Sequence, residues 1–235
     1  MRCKSAVIAL SFSFAFLIPL TSYADSILTL ETTSGGAPYG EDIFPYQMQL
    51  QGPGGTGVYN MSCLNYNLEI SFGESWYVIP YTVNSIVAGG VNVDGMTPQQ
   101  FEEDAWLFNQ YSASGSSNVA GVGTVTNADI QYAIWNIMDN GHVPLPADGN
   151  AQLLDTQAAS VAPGLYPSYY ANDMVFVPDL SNTTGWTNGT PQYFMTDPPP
   201  PVMTPEPTSL VLLATGMLGL AAILHRRLHP AQVKA

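Results

Sequence analysis

Charge is distributed so unevenly along the chain that it limits how the central part can be stabilised. No lysine or arginine lies between Ser5 and His225, whereas all 18 aspartate and glutamate residues fall within that interval. A domain built from it forms no Lys or Arg salt bridge and no lysine-dependent isopeptide cross-link, so its stability must come from its core and from any bound cations. The formal net charge of −13 repels phosphate, which excludes nucleic acid as a partner. Lowering the pH toward about 4 is expected to relieve this repulsion without unfolding the domain.

The N-terminus predicts a secretory signal peptide. Arg2 and Lys4 precede the apolar run AVIALSFSFAFLIPL, and the small-residue segment TSYA follows it. A basic start, an apolar middle and a small-residue exit are the signature that signal peptidase reads. We expect cleavage after Ala24, so that residues 1–24 are removed; an uncleaved N-terminal anchor is the alternative.

The C-terminus predicts a membrane segment on a proline-rich stalk. Residues 197–207, DPPPPVMTPEP, favour an extended stalk. The apolar run that follows predicts a transmembrane helix over 208–225, slightly shorter than the usual span of about 20 residues. Arg226 and Arg227 then place the basic tail, 226–235, in the cytoplasm.

This terminal arrangement resembles the PEP-CTERM sorting signal of exopolysaccharide-making bacteria. The segment TPEPTSLVLLATGMLGLAAILHRR contains Pro205, Glu206 and Pro207, then a short apolar helix, then Arg226 and Arg227. The resemblance implies cleavage near the Pro-Glu-Pro triplet by an exosortase, a membrane-embedded, transpeptidase-like enzyme. It also implies transit through the inner membrane, then residence in the cell envelope, on the surface or in the extracellular matrix.

The intervening residues, 25–196, predict one acidic extracellular domain whose first half is β. The segments YQMQLQ (46–51) and LNYNLEISF (64–72) alternate apolar and polar residues, which is typical of half-buried strands. WYVIPYTV (76–83) and SIVAGGVNV (85–93) are further predicted strands, and DMVFVPD (173–179) and PQYFMT (191–196) complete the set.

A helical insertion over about 97–162 interrupts these strands. TPQQFEEDAWLFNQY begins with Thr97 as a helix cap and Pro98 at the first helical position. TNADIQYAIWNIMDNG places apolar residues at helical spacing and ends at Gly141, and GNAQLLDTQAASVAPG predicts a third helix. The predicted fold is therefore mainly β, an antiparallel barrel or sandwich, with a helical insertion.

The domain offers few residues for catalysis. Glu102, Glu103 and Asp104 form an acidic cluster that suits either a cation or the positive end of a helix dipole, and we favour the dipole. His142 lies in a Gly-His-Val-Pro turn without acidic or cysteine neighbours at metal-binding spacing. We therefore predict no catalytic residue, no metal, no cofactor and no enzyme; an unrecognised extracellular hydrolase is a remote alternative.

A second resemblance concerns IQYAIW, residues 130–135. Together with the upstream AWLFNQY, it resembles the signature of the thioester, or TQXA, domains of Gram-positive surface proteins, carried here by Gln131, Ala133, Ile134 and Trp135. The resemblance implies a β-barrel or sandwich with a helical insertion, in which an early cysteine and a late-strand glutamine form an internal thioester.

Carried onto this chain, the pair is Cys63 and Gln192, since Cys3 leaves with the signal peptide. If the strand over 64–72 begins at Cys63, this cysteine lies on its polar face with Asn65, Asn67 and Glu69. We expect Cys63 to lie near the helix of Gln131–Trp135 and near the strand of Gln192.

The sequence thus predicts an exported surface or matrix protein with a structural or adhesive role and exopolysaccharide as a candidate partner. The main alternative is a covalent adhesin whose thioester reacts with an amine or hydroxyl of a target surface. In that alternative Cys63 is the functional residue, and otherwise it is an ordinary thiol.

Overall fold

The computed structural model describes residues 26–52, 55–89, 91–93, 95–160, 170, 172–182, 191–197 and 217. The predicted signal peptide, nearly all of the stalk and the predicted transmembrane segment apart from Met217 lie outside these residues. Within the described part of the chain, no helix is both long enough and apolar enough to cross a membrane.

Six antiparallel strands close into a barrel, which confirms the mainly β architecture. In chain order they are β1 (Ser26–Thr33), β2 (Tyr46–Gly52), β3 (Gly55–Cys63), β4 (Ser75–Thr82), β7 (Met174–Pro178) and β8 (Phe194–Thr196), and a separate hairpin consists of β5 (Ser116–Val119) and β6 (Gly123–Thr126). Around the barrel the order is β1-β2-β3-β8-β7-β4, so the strand closest to the C-terminal stalk lies between β3 and β7. Closure leaves no unpaired barrel edge of the kind that recruits other chains.

Among the described residues between β4 and β7, four helices accompany the β5–β6 hairpin. They are α1 (Val83–Val87), α2 (Pro98–Phe108), α3 (Asn127–Met138) and α4 (Asn150–Ser160). Thr97 caps α2 in a capping box with Gln100, and Thr126 caps α3 in a second box with Asp129. Every residue of α3 is buried, which makes it the central helix on which the candidate site is built.

Two segments predicted as strands have other structures. Residues 64–72 follow the end of β3 without belonging to the sheet. Tyr66, Leu68 and Ile70 are half-buried and the intervening residues are exposed. The alternation therefore reflects packing of one side of this segment on the domain, without pairing to a neighbouring strand. The backbone is satisfied elsewhere: Leu64 N donates to Tyr193 O at 2.9 Å and Tyr66 N donates to the Asp139 carboxylate at 3.1 Å.

The second segment, SIVAGGVNV, begins within α1 instead of forming a strand. The Thr82 hydroxyl accepts a hydrogen bond from Ser85 N at 3.1 Å and starts the helix. Val83 and Ile86 are buried three residues apart, and Gly89 has a positive φ of 75° just past the helix end. A helix of five residues is too short for the spacing of its apolar residues to be distinguished from that of a strand.

Three elements were missing from the sequence-based prediction: β1, β3 and the β5–β6 hairpin. β1 buries alternate residues over its first five positions, from Ser26 to Leu30. β3, GTGVYNMSC, lacks a regular apolar alternation because glycine occupies inward position 57 and the apolar Val58 is exposed. Its place in the barrel is therefore determined by pairing with β2 and β8.

The acidic cluster of α2 lies elsewhere than predicted. No acidic residue occupies the first turn of α2, so the helix-dipole interpretation was wrong. Asp104 is fully buried, and neither of its carboxylate oxygens has a hydrogen-bond partner among the described residues. Burial raises the pKa of Asp104 well above its usual range, and the nearby carboxyls of Glu103 and Asp155 raise it further.

A second buried carboxyl, Asp173, lies at the end of the chain segment that leads into β7. Burial, followed by repulsion from Asp197, raises its pKa to about 8, although Asn109 donates a hydrogen bond to it at 3.3 Å. In a chain segment without lysine or arginine, such groups are accommodated by holding a proton rather than by ion pairing.

We therefore predict that the domain is stabilised by acid. The folded protein retains protons that the unfolded chain releases above the usual Asp pKa of about 4, so the free energy of unfolding should rise as the pH falls from about 8 toward 4. Each such carboxyl contributes at most about 1.4 kcal/mol per pH unit. Urea denaturation across this pH range measures the slope, and Asp173→Asn should make it shallower.

Glu69→Gln is the matched control for this experiment, because it removes an exposed carboxyl and should leave the slope unchanged. A free energy of unfolding that decreases on acidification would show that the carboxyls are held as paired anions instead.

Candidate functional site

The pairing of β3 with β8 brings Cys63 and Gln192 to the same place. Cys63 lies opposite Phe194 in the antiparallel register, and Leu64 N continues the ladder to Tyr193 O. Gln192 immediately precedes this pair, so it lies beside the chain that leaves β3. It is two residues before β8 and not within the strand, which corrects the predicted late-strand position.

The thiol and the carboxamide converge on one backbone carbonyl. The Cys63 thiol donates to Asn65 O at 3.2 Å, and Gln192 Nε2 donates to the same oxygen at 3.4 Å. Gln192 Nε2 also donates to Leu68 O. The carboxamide of Gln192 therefore lies near the Cys63 thiol, and hydrogen bonding by Gln192 opposes the rise in the thiol pKa that burial causes.

The surroundings of Cys63 differ from the predicted polar face. Because β3 ends at Cys63, residues 64–72 do not continue its alternation, and Cys63 belongs to the apolar core with 0% of its surface exposed. Burial raises the pKa of the thiol to about 12, against the opposing effect of hydrogen bonding by its neighbours. At neutral pH the group is therefore a protonated thiol sealed from solvent.

Gln131 anchors the backbone of the cysteine. Its Nε2 donates to Cys63 O at 2.7 Å, and its Oε1 accepts hydrogen bonds from Ser62 Oγ at 3.1 Å and from the Tyr111 hydroxyl at 2.9 Å. Gln131 is fully buried on α3, so this network fixes the distance between the helix and the end of β3.

Trp135, one helical turn further along α3, lies on the sulfur side of the site. Its indole is close enough to Cys63 to lower the pKa of the thiol, although Trp135 Nε1 makes no full hydrogen bond within the described residues. Gln192 Oε1 is likewise buried and unpaired there. Tyr66 and Tyr132 pack edge-on against the indole, with ring centroids 5.3 and 5.1 Å away, and hold it in place.

The remaining motif residues are structural. Ala133 and Ile134 are fully buried in the core on α3 and make no polar contact with the site. Of the four residues in the predicted motif, the structure therefore brings Gln131 and Trp135 to Cys63.

His142 contributes nothing to this site. It is exposed, and its Nδ1 lies 2.7 Å from Asp139 O in the turn after α3. In the described ranges no three His, Cys, Asp or Glu residues are arranged to hold a metal ion.

Sequence reasoning missed three residues that build the site. Asn65 supplies the carbonyl shared by Cys63 and Gln192, and its side chain accepts from Tyr193 N at 2.9 Å. Ser62 and Tyr111 complete the Gln131 network. Two sequence features could have indicated these residues. Ser62 and Asn65 lie within two residues of Cys63, and Tyr111 is the last residue of AWLFNQY.

Comparison with known proteins identifies the tail of the chain. Residues 204–227 match the PEP-CTERM protein-sorting motif. The chain carries this sorting motif. It implies export, processing by an exosortase, which is a membrane protease, and delivery to the cell surface or envelope.

Other comparisons add little to the domain itself. No curated protein is similar in sequence. The N-terminal domain of the Streptococcus pyogenes pilus tip adhesin Cpa is similar in structure over 75% of this chain and 95% of that one, with 13% sequence identity. The TM-score of 0.38 is too low to establish a common fold.

We predict that Gln131→Leu destabilises the domain by roughly 1–3 kcal/mol, because it leaves Cys63 O without its donor and leaves the Ser62 and Tyr111 hydroxyls only each other as partners. Urea denaturation measures the change. Gln152→Leu on the exposed face of α4 is the matched control and should change the free energy of unfolding by less than about 0.5 kcal/mol. Equal effects of the two substitutions would remove the structural role assigned to Gln131.

We also predict that replacing Glu206, or deleting Arg226 and Arg227, leaves the protein unprocessed or misplaced. A membrane protease must read both the motif at the interface and the depth set by the charged end. Immunoblots of membrane and secreted fractions measure processing. Normal cleavage in both variants would mean that the tail is not the sorting determinant.

Proposed function

We propose that the exported domain is an adhesive surface module that forms an internal thioester between Cys63 and Gln192. The observation that supports the proposal best is the convergence of the thiol and the carboxamide on Asn65 O, at 3.2 and 3.4 Å. The thioester then serves as an acyl donor to an amine or hydroxyl on a target surface.

Formation of the bond requires no oxidant or cofactor. The Cys63 sulfur attacks the carboxamide carbon of Gln192, a new S–C bond forms, and the C–N bond breaks. The thiol proton leaves with the amide nitrogen, so one ammonia molecule is released. Attack by a target hydroxyl or amine later joins the Gln192 acyl group to the target and returns the proton to Cys63.

The surroundings of the pair suit an activated acyl group. Cys63 is fully buried and Gln192 is only 8% exposed, so a bond between them is shielded from hydrolysis by water. The unpaired N–H of Trp135 lies beside the sulfur. A buried donor beside the sulfur favours the thiolate that leaves when the acyl carbon is attacked.

The lack of lysine in the domain fits an acyl donor that must be preserved for an external target. Lys4 and Lys234 lie at the chain ends, so no lysine amine within residues 25–196 can quench the thioester. A lysine acceptor must therefore come from another molecule.

A second candidate is a structural or non-covalent adhesive protein in which Cys63 is an ordinary core thiol. Its full burial in the apolar core and the rise of its pKa to about 12 favour this alternative, because a protonated, inaccessible thiol is a poor nucleophile. Both candidates share the same exported, surface-sorted context.

Intact mass spectrometry of the secreted protein separates the two candidates. The thioester predicts a mass lower than that of the processed sequence by one ammonia molecule, and no thiol reactive toward iodoacetamide in denaturant. Methylamine treatment should add one methylamine and expose one thiol. Cys63→Ala and Gln192→Ala should each abolish the deficit.

Gln152→Ala is the control, because this exposed glutamine on α4 lies outside the site, and it should retain the deficit. A wild-type protein with the full sequence mass and one alkylatable thiol would eliminate the covalent mechanism and leave the non-covalent adhesive role.

A further inference from the structure

A groove of about 610 Å³ lies beside the barrel, between three chain segments. The loop from Ser34 to Pro45 forms one wall, the loop from Tyr111 to Gly115 forms another, and the first residues of α3 close one end. This volume is within the range of about 300–1,000 Å³ that small-molecule sites occupy. Neither sequence motifs nor the thioester site account for it.

The groove is electrically neutral in a strongly acidic protein. None of its sixteen lining residues is charged, although the whole chain has a net charge of −13. The surrounding negative potential repels anions, and the lining itself has no carboxylate that could bind a cation, although the Tyr39 hydroxyl donates to the Asp148 carboxylate at 3.4 Å. The lining therefore offers contacts for an uncharged ligand.

Aromatic rings in the groove are held in defined orientations. Tyr39 is 48% exposed at the rim, and its ring packs edge-on against Tyr132 with centroids 5.5 Å apart. Phe44 stacks on Tyr111 at 3.8 Å with an interplanar angle of 17°. Rings fixed in this way lose little conformational entropy when a flat apolar face packs against them.

Polar groups alternate with these rings. Asn60 is exposed on β3, and the hydroxyls of Ser112 and Ser114 are paired at 2.8 Å on the opposite loop. Asn127 fixes that loop, since its Nδ2 donates to Ser112 O at 2.9 Å and its Oδ1 accepts from Ser112 N at 3.2 Å. The groove thus combines small, neutral donors and acceptors with an exposed aromatic rim.

We infer that this groove binds a short stretch of a neutral polysaccharide. A sugar ring has C–H faces that pack on aromatic rings and hydroxyls that bond to amides and hydroxyls, which is the combination found here. A purely apolar ligand would remove water from the exposed Asn60 amide without replacing its hydrogen bonds, and an acidic polysaccharide would meet the repulsion of the domain.

This binding is independent of the proposed thioester. Tyr111 is shared between the groove and the Gln131 network, but its hydroxyl points to Gln131 Oε1 and Ser62 whereas its ring stacks on Phe44. Cys63 is fully buried and does not line the groove. Saccharide binding should therefore persist in Cys63→Ala.

Calorimetric titration of the secreted protein with neutral gluco-oligosaccharides, oligo-uronates of the same length and an uncharged peptide tests the inference. We expect saturable binding of the neutral oligosaccharide alone. Tyr39→Ala should weaken it up to about tenfold, which corresponds to the interaction energy of one aromatic ring. Tyr39→Phe, which keeps the ring, should bind nearly as well as the wild type.

Two further variants control for folding and position. Phe72→Ala removes an aromatic side chain that is 62% exposed and lies outside the groove, so it should leave binding unchanged. Ala113→Trp should block the groove from an exposed position while the melting temperature stays at the wild-type value. Cys63→Ala should bind like the wild type whether or not the thioester forms.

No binding of the neutral oligosaccharide, equal losses for Tyr39→Ala and Phe72→Ala, or tighter binding of the uronate or the peptide would overturn the assignment. None of these results bears on the mass deficit that tests the thioester.

Discussion

The pairing of β3 with β8 is the contact on which both the fold and the candidate site depend. Only two residue pairs form it, Ser62 with Met195 and Cys63 with Phe194, yet it joins the early strands of the domain to the late ones and closes the barrel. Gln131 of α3 donates to Cys63 O at the end of β3, so α3 is anchored at this pairing. Loss of this pairing would open the barrel and would also separate Cys63 from Gln192.

The absence of cations determines how polar groups are buried. In many proteins a buried carboxylate is paired with lysine or arginine. Here side-chain amides take that place, since Asn109 donates to Asp173 at 3.3 Å and Asn136 donates to Asp155 at 2.7 Å. Carboxyls without such partners, notably Asp104, are accommodated by a raised pKa. The small number of charged residues also leaves a neutral groove and a domain without lysine nucleophiles. Both features follow from composition, but their role depends on where they lie in the fold.

Location and activity are determined by different parts of this chain. The sorting motif at 204–227 directs an exported protein to the surface or envelope and carries no information about the ligand. The domain contains the two features to which we assign chemistry, a buried thiol beside a carboxamide and a neutral groove that borders the Gln131 network at Tyr111. A non-covalent groove that holds a surface polymer and an acyl donor that forms a bond would serve adhesion at different stages, capture first and attachment second.

The sequence by itself determined the sorting motif at 204–227, the cation-free interval, the mainly β class and helices α2, α3 and α4, because these depend on composition and on local periodicity or capping. It also indicated Cys63, Gln192 and the α3 motif through family resemblance. The sequence did not predict the surroundings of Cys63. Whether β3 continues past this residue depends on pairing with β8, which lies about 130 residues away in the chain. Residues 64–72 alternate like a strand because one side packs on the domain, and only tertiary structure decides whether a backbone with that pattern pairs with a neighbour. Only the tertiary structure decided three other features: the role of the Asn65 carbonyl, the role of the Tyr111 hydroxyl and the neutral groove. Each depends on contacts between segments that are distant in the chain, and no local sequence pattern predicts such contacts.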